Sequence, residues 1–369
     1  MKQVLYLATA VALALLAFSC KKHKKVDDVF TEASNNEEKW CFAYVPDMIC
    51  RGGTETGIGI RLNNSSNKIL IYLEGGGGCF NKTTCTVNPS FYNKTSFDAI
   101  KGIELGMGIF KKSNDNNPFK DWNCIYVPYC TGDVHSGTRT NVDIGWGIVR
   151  QQMVGHNNVS LVLAELVKQF PDADEVFLTG SSAGGYGTLV NADQVIEAFP
   201  DAKVTIMDDS GPIIIDETAH PRCLDSIWET TFGFRIPNDY STYTTTQYTT
   251  DFKSIYEYLS KKHPDVEFGL VTYLEDLVIR EFYGYGSQNC KTTEGIPAPV
   301  SGAAYKNGLI HLRDSVMQSL PNWKTYYIKG VGHTLNVVGG AINTLEVDDV
   351  AFSDWINQLR DRTATHVAD

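Results

Sequence analysis

Seven short apolar runs recur along the chain: "IGIRL", "KILIYLEG", "CIYVPY", "EVFLTG", "KVTIMDD", "EFGLVTY" and "KTYYIKG". Several lack the alternation of a half-exposed sheet, as expected of strands covered on both faces of a parallel sheet. Segments of helical period lie between many of them. In "NNVSLVLAELVKQF" the apolar positions are Val159, Val162, Leu163, Leu166, Val167 and Phe170, one stripe at spacings of three and four. "AAYKNGLIHLRDSVMQSL" and "DDVAFSDWINQL" have the same helical character. Strands alternating with helices predict an α/β fold with a mostly parallel central sheet flanked by helices. No internal repeat breaks the order, and one domain is expected over residues 38–369. "YSTYTTTQYTT" (240–250), rich in Thr and Tyr, reads as an exposed loop.

The first twenty residues do not fit this pattern. Lys2 precedes an uncharged apolar run from Val4 to Phe18, followed by Ser19 and Cys20. The run is too short to span a bilayer as a helix and has the shape of an export signal. "LAFSC" resembles a bacterial lipobox, which predicts lipidation of Cys20 and a membrane-anchored protein of the cell envelope. Ala17 stands where that motif usually has Leu, so an ordinary cleaved signal is the alternative. Residues 21–37, "KKHKKVDDVFTEASNNE", read as a polar tether.

Charge narrows the partners. Beyond residue 25 the chain carries 27 basic against 43 acidic side chains, a net charge of −16. That argues against nucleic acid as a partner and makes a highly anionic polymer an awkward substrate. Eight cysteines follow Cys20, an even number that suits disulfides in an exported protein. No C-x-x-C pair points to zinc, and spacing alone leaves the connectivity open.

The chemistry concentrates where one strand hands over to a helix, in "VFLTGSSAGGYGTLV". Gly180-Ser181-Ser182-Ala183-Gly184 fits G-x-S-x-G, the nucleophile elbow, in which small neighbours let strand and helix crowd around a strained serine. Ser181 and Ser210 are rivals away from the elbow centre. A serine needs a base. In this class of fold the order is Ser, acid, His, which removes His23, His135 and His156. His366 lies in a tail, His311 sits within a helical pattern, and His220 and His263 precede or adjoin the acid. His333 remains, in "KGVGHTLN", after a strand. For the acid, "VTYLEDLVIREFYG" offers Glu275 and Asp276, of which Asp276 is preferred; either would also suit the start of a helix. Asp209 follows the elbow too closely and reads as structural.

An acyl-transfer site also needs donors for the developing oxyanion. Gly75 to Gly78 in "YLEGGGGCF" follow an early strand, where such a loop belongs, and the Ala183 amide supplies a further donor. A phosphate loop would require a following Lys-Ser/Thr, which is missing.

These residues carry a family resemblance. "LEGGGGCFNKTTC", "VPYCTGDVHSG", "LTGSSAGGYGTLVNADQV", "DDSG", "YLEDLVIREFYG" and "GVGHT" resemble, in order, the pectin acetylesterase/Notum family of serine carboxylesterases. The resemblance implies an α/β-hydrolase fold, Ser182 as nucleophile, Asp276 as acid and His333 as base. It implies oxyanion donors at Gly76, Gly77 and Ala183, and no metal or organic cofactor. It suggests the pairs Cys79–Cys85 and Cys50–Cys130, which leaves Cys223–Cys290 and Cys41–Cys124. One departure stands out: the plant esterases read G-G-G-W-C and the animal lipid deacylase G-G-W-Y-C, whereas Gly77 and Gly78 precede Cys79. The missing aromatic is either room for substrate or space filled by neighbours. The expected activity is removal of acyl groups, chiefly acetyl, from a carbohydrate. The rivals are a lipid or protein deacylase of the same mechanism and a silent glycan-binding protein on a hydrolase scaffold.

Overall fold

The computed structural model describes residues 23–368 apart from 103, 235–236, 245–253, 291–294 and 338–339. The predicted signal and Cys20 lie outside the described residues, as does most of the Thr/Tyr-rich stretch.

Nine strands form the main sheet: β1 (Cys41–Ile49), β2 (Glu55–Arg61), β3 (Lys68–Leu73), β4 (Asn123–Val127), β5 (Glu175–Ser181), β6 (Lys203–Asp209), β7 (Glu267–Tyr273), β8 (Trp323–Ile328) and β9 (Val367–Ala368). Their spatial order is β1-β2-β4-β3-β5-β6-β7-β8-β9. From β4 to β9 every pairing is parallel, and only the two pairings of β2 are antiparallel. The seven predicted runs each become a strand. β1 carries Pro46 and a register shift between Tyr44 and Ile49, features tolerated because it is an edge.

Alternation along β3 explains how the sheet is covered. Ile69, Ile71 and Leu73 join one apolar cluster, while Leu70 and Tyr72 join another. Successive side chains of a strand point to opposite faces, so both faces are packed. The helices that matter for the site are α1 (Val26–Asn35), α2 (Lys82–Val87), α3 (Gly155–Gln169), α4 (Ala183–Ala198), α5 (Leu277–Gly284), α6 (Gly302–Ser315) and α7 (Phe352–Arg360). This is the α/β-hydrolase architecture. Among the described residues no helix is long and apolar enough to cross a membrane.

Four expectations need correction. Residues 21–37 are not merely a polar tether: α1 buries Val26, Val29, Phe30 and Ala33. These sit at spacings of three, four and seven, so a helix gathers them onto one face despite the charged residues between. The stretch from 240 is not wholly an exposed loop, because Tyr240 is buried at the start of a short helix and its ring lies 4.9 Å from that of Tyr258. His366 is not in a frayed tail: it precedes β9, which pairs with β8, and its Nδ1 lies 3.0 Å from Thr325 Oγ1. Finally, Cys50–Cys130, Cys79–Cys85 and Cys223–Cys290 are bonded, but Cys41 and Cys124 are free thiols. Cys41 faces Ile60 on β2, and Cys124 faces Arg61 on the other side of β2. Two strand spacings total about 10 Å, beyond the ~7 Å limit between bridged Cα atoms.

Candidate active site

Ser182 occupies the single residue between β5 and α4, with φ 60° and ψ −117°. A non-glycine residue at positive φ is strained and persists only where its surroundings hold it. The surroundings here are backbone. The Ser182 amide donates to the Asp209 carbonyl at 2.8 Å, and its carbonyl accepts from the Tyr186 amide at 3.1 Å. A Cβ on Gly184 would overlap the Leu73 carbonyl oxygen, so α4 can start this close to β3 only with glycine there. Ser181 is committed elsewhere, donating from Oγ to Asp209 Oδ2 at 2.8 Å.

Asp276 is fully buried and serves two partners. Its Oδ1 accepts from the amides of Val278 at 3.0 Å and Ile279 at 3.1 Å, capping α5. Its Oδ2 lies 2.7 Å from His333 Nδ1. The helix-capping alternative and the imidazole-orienting one are therefore both realised in the same carboxylate. Glu275 is turned toward Gly302 at the start of α6. The loop after His333 is held by Asp209, which accepts from the amides of Leu335 at 2.8 Å and Asn336 at 2.9 Å. Asp209 is thus structural, as its position in the chain suggests.

Ser182 and His333 line one cavity of about 440 Å³, together with Gly75 to Gly78. No hydrogen bond joins Ser182 Oγ to the ring among the described residues; contacts of this kind tighten when substrate binds. The glycine loop passes directly over the elbow: a Cβ on Gly75 would lie 3.2 Å from Ser182 Cβ. Its carbonyls are anchored. Asn88 Nδ2 donates to the Gly76 oxygen at 2.7 Å, and the Tyr129 hydroxyl donates to the Gly77 oxygen at 2.7 Å. In a trans peptide the N–H points opposite to the C=O, so these bonds set the directions of the next two amides. Ala183 is the first residue of α4, where an amide has no acceptor within the helix. A buried His135 donates through Nε2 to the Glu74 carbonyl at 2.8 Å, and burial pushes its pKa down to about 4.

Beside Gly78, Phe232 and Phe80 stand 3.6 and 3.7 Å from where a Cβ would be. Those are ordinary van der Waals distances, so the two rings border the position where the aromatic is missing, and Gly78 itself lines the cavity. Asn88, Tyr129 and His135 escape the sequence reading; the resemblance quotes "VPYCTGDVHSG", which holds two of them, but gives neither a task. Among the described residues no group of three or more His, Cys, Asp or Glu is arranged to hold a metal ion.

Comparison with known proteins bears on the family and the fold. The sequence pattern of the family described as Pectinacetylesterase matches residues 41–252. Palmitoleoyl-protein carboxylesterase notum2 of Xenopus laevis is 31% identical over 179 residues, 45% of this chain and 34% of that protein. The mouse palmitoleoyl-protein carboxylesterase NOTUM is 31% identical over 190 residues, 49% of this chain and 37% of that protein. The chain thus matches little more than a third of these relatives' length. The structure of the Wnt deacylase Notum from Drosophila superposes with a TM-score of 0.60 at 20% identity, covering 88% of this chain and 94% of that one. At that identity the likeness concerns the fold.

Proposed function

Since the chain belongs to the pectinacetylesterase family, we propose that it is a serine carboxylesterase that removes O-acetyl groups from a polysaccharide. Ser182 Oγ attacks the ester carbonyl while His333 takes its proton. The collapsing tetrahedral intermediate expels the alcohol, which receives that proton from His333. Water, activated by the same imidazole, then releases the acid and restores Ser182. Asp276 orients the ring and stabilises its cation, and the amides of Gly76, Gly77 and Ala183 receive the oxyanion. The observation that carries this reading is the 2.7 Å Asp276–His333 pair, whose imidazole shares one cavity with the strained Ser182. The catalytic unit runs through the nine-stranded sheet, and no metal or organic cofactor takes part.

Ser182→Ala should abolish hydrolysis of nitrophenyl acetate and fluorophosphonate labelling while leaving the thermal transition in place. Ser181→Ala should keep most of the activity, because Ser181 lies outside the elbow centre. Equal loss in both variants would reject Ser182 as the nucleophile.

A second reading has its own support. Val278, Phe282 and Val337 give the cavity an apolar lining, and the relatives named above are palmitoleoyl-protein carboxylesterases. A lipid or protein deacylase would prefer octanoyl to acetyl nitrophenyl esters; an acetylesterase would show the reverse. The three disulfides suit an oxidising compartment. We further infer export and anchoring through a lipidated Cys20, which metabolic labelling with a fatty-acid analogue in the wild type and Cys20→Ser would test.

A further inference from the structure

The cavity has a second, polar lining that the ester chemistry does not use. Glu74 follows β3, and Glu104 opens a short turn at residues 104–106. Both line the cavity together with Tyr72. Glu74 Oε2 accepts from the Tyr129 amide at 2.7 Å, and Tyr126 donates its hydroxyl to Glu104 Oε2 at 3.3 Å. The Tyr72 hydroxyl reaches the side chain of Ser181, next to the nucleophile.

Charge decides what this lining can receive. None of the described residues lining the cavity is Lys or Arg. Burial holds the Glu74 carboxyl up at about 8, and the charge of Glu104 pushes it the same way. Burial raises the Glu104 carboxyl as well. A site that already keeps one carboxyl protonated has no cation to receive a third. Carboxylates and tyrosine hydroxyls do match sugar hydroxyls, which donate to the former and both donate to and accept from the latter. The net charge of −16 beyond residue 25 acts in the same sense at long range.

We propose that Glu74, Glu104 and Tyr72 form the subsite for the sugar of the leaving alcohol, with Tyr126 positioning Glu104 from behind, and that this subsite selects an uncharged glycan over a uronate polymer. The inference rests on the esterase reading and narrows its substrate class. It is tested by acetate release at fixed ionic strength from acetylated xylan and from acetylated polygalacturonate. Both are compared in the wild type, Glu104→Gln and Glu104→Lys, with nitrophenyl acetate as the small-ester reference. The wild type should favour the uncharged polymer in kcat/KM by about tenfold or more, the scale expected for like charges near a protein surface. Glu104→Lys should cut or reverse that ratio by a similar factor. Glu104→Gln, nearly isosteric, should move it the same way by less, so the test survives if the lysine variant fails to fold. A wild type that cleaves the uronate polymer equally well, or cleaves neither polymer while cleaving nitrophenyl acetate, overturns the proposal. So does a ratio unmoved in folded variants. A wild type inactive on nitrophenyl acetate instead removes the esterase reading itself.

Discussion

The elbow at Ser182 and the glycine loop above it are both rigid, for different reasons. Around Ser182 the constraint is backbone against backbone: the Asp209 carbonyl on its amide, and the start of α4 pressed onto Leu73. The loop Gly75 to Gly78 has no such neighbours on every side and is held by side chains from elsewhere. Asn88 and Tyr129 hold its carbonyls, and Cys79–Cys85 closes the turn that follows it. His135 braces the Glu74 carbonyl just before it. Arg51 donates to the carbonyls of Cys85 and Asn88 at 2.6 and 2.5 Å, tying these braces together. Steric constraint fixes the elbow in one step. The loop depends on several ties of about 1 kcal/mol each, the usual net value of a hydrogen bond. Elbow substitutions should therefore be all-or-none, and loop substitutions graded.

The largest effect is expected from Gly184→Val. Its Cβ has nowhere to go, because the atom it meets is the Leu73 backbone oxygen in the middle of the sheet. A loss above about 4 kcal/mol follows, in the range reserved for severe core strain. Soluble yield and urea denaturation measure it. A variant of near wild-type stability would mean that the elbow is not sterically fixed.

His135 comes next, and its signature is in pH. Buried and held at about 4, the ring stays neutral in the folded protein, whereas the unfolded chain takes up a proton below its ordinary ~6.5. Stability from this group is complete above ~6.5, falls by about 3 kcal/mol as pH drops to about 4, and levels below that. Asp133, with its carboxyl raised to about 6 by burial, acts in the opposite sense over an overlapping range. The comparison is therefore between slopes: wild type against His135→Gln, both keeping Asp133. The variant should lose less stability than the wild type between pH ~6.5 and ~4. Parallel curves would rule the histidine out as the source.

The contrast also explains what could be read in advance. The elbow shows in sequence because sterics force glycine at fixed positions around one serine. The parallel strands show because burial on both faces removes polar positions from "KILIYLEG" and "EVFLTG". Asp276 and His333 are singled out because chain order leaves few other choices, and their side chains meet at 2.7 Å. α1 was legible too: Val26, Val29, Phe30 and Ala33 form a stripe, masked by counting the charges around it. The Cys41–Cys124 pairing failed because elimination ignores strand order, and β2 lies between the two thiols. Asn88 and Tyr129 act on backbone 12 and 52 residues away, and no local pattern marks such a tie.

The disulfide beside the loop should matter less than the elbow. Replacing Cys79 and Cys85 by Ser opens a loop with a sequence separation of only six residues. The chain-entropy value for so short a loop is about 2 kcal/mol. Thermal denaturation should show that loss, and activity should fall with it because the glycines gain freedom. Unchanged stability would mean that α2 alone, capped by Asn81, holds the turn.

The smallest expected change, and the sharpest for the comparison, is Asn88→Ala. Asn88 touches neither Ser182 nor His333; it acts through the Gly76 carbonyl and so through the Gly77 amide beyond it. Losing a true oxyanion donor costs roughly 10²–10³ in kcat, and losing only its brace should cost less, about tenfold. The loss should fall on kcat, with KM for nitrophenyl acetate nearly unchanged, because the oxyanion exists only in the transition state. Asn88→Asp sharpens this. It keeps the shape but turns a donor into an acceptor facing a carbonyl, so it should be at least as slow as alanine despite its closer fit. If the aspartate variant retains full activity, or if alanine raises KM while sparing kcat, the brace does not set the amide. The loop would then be held by Tyr129, the disulfide and the His135 brace on the Glu74 carbonyl.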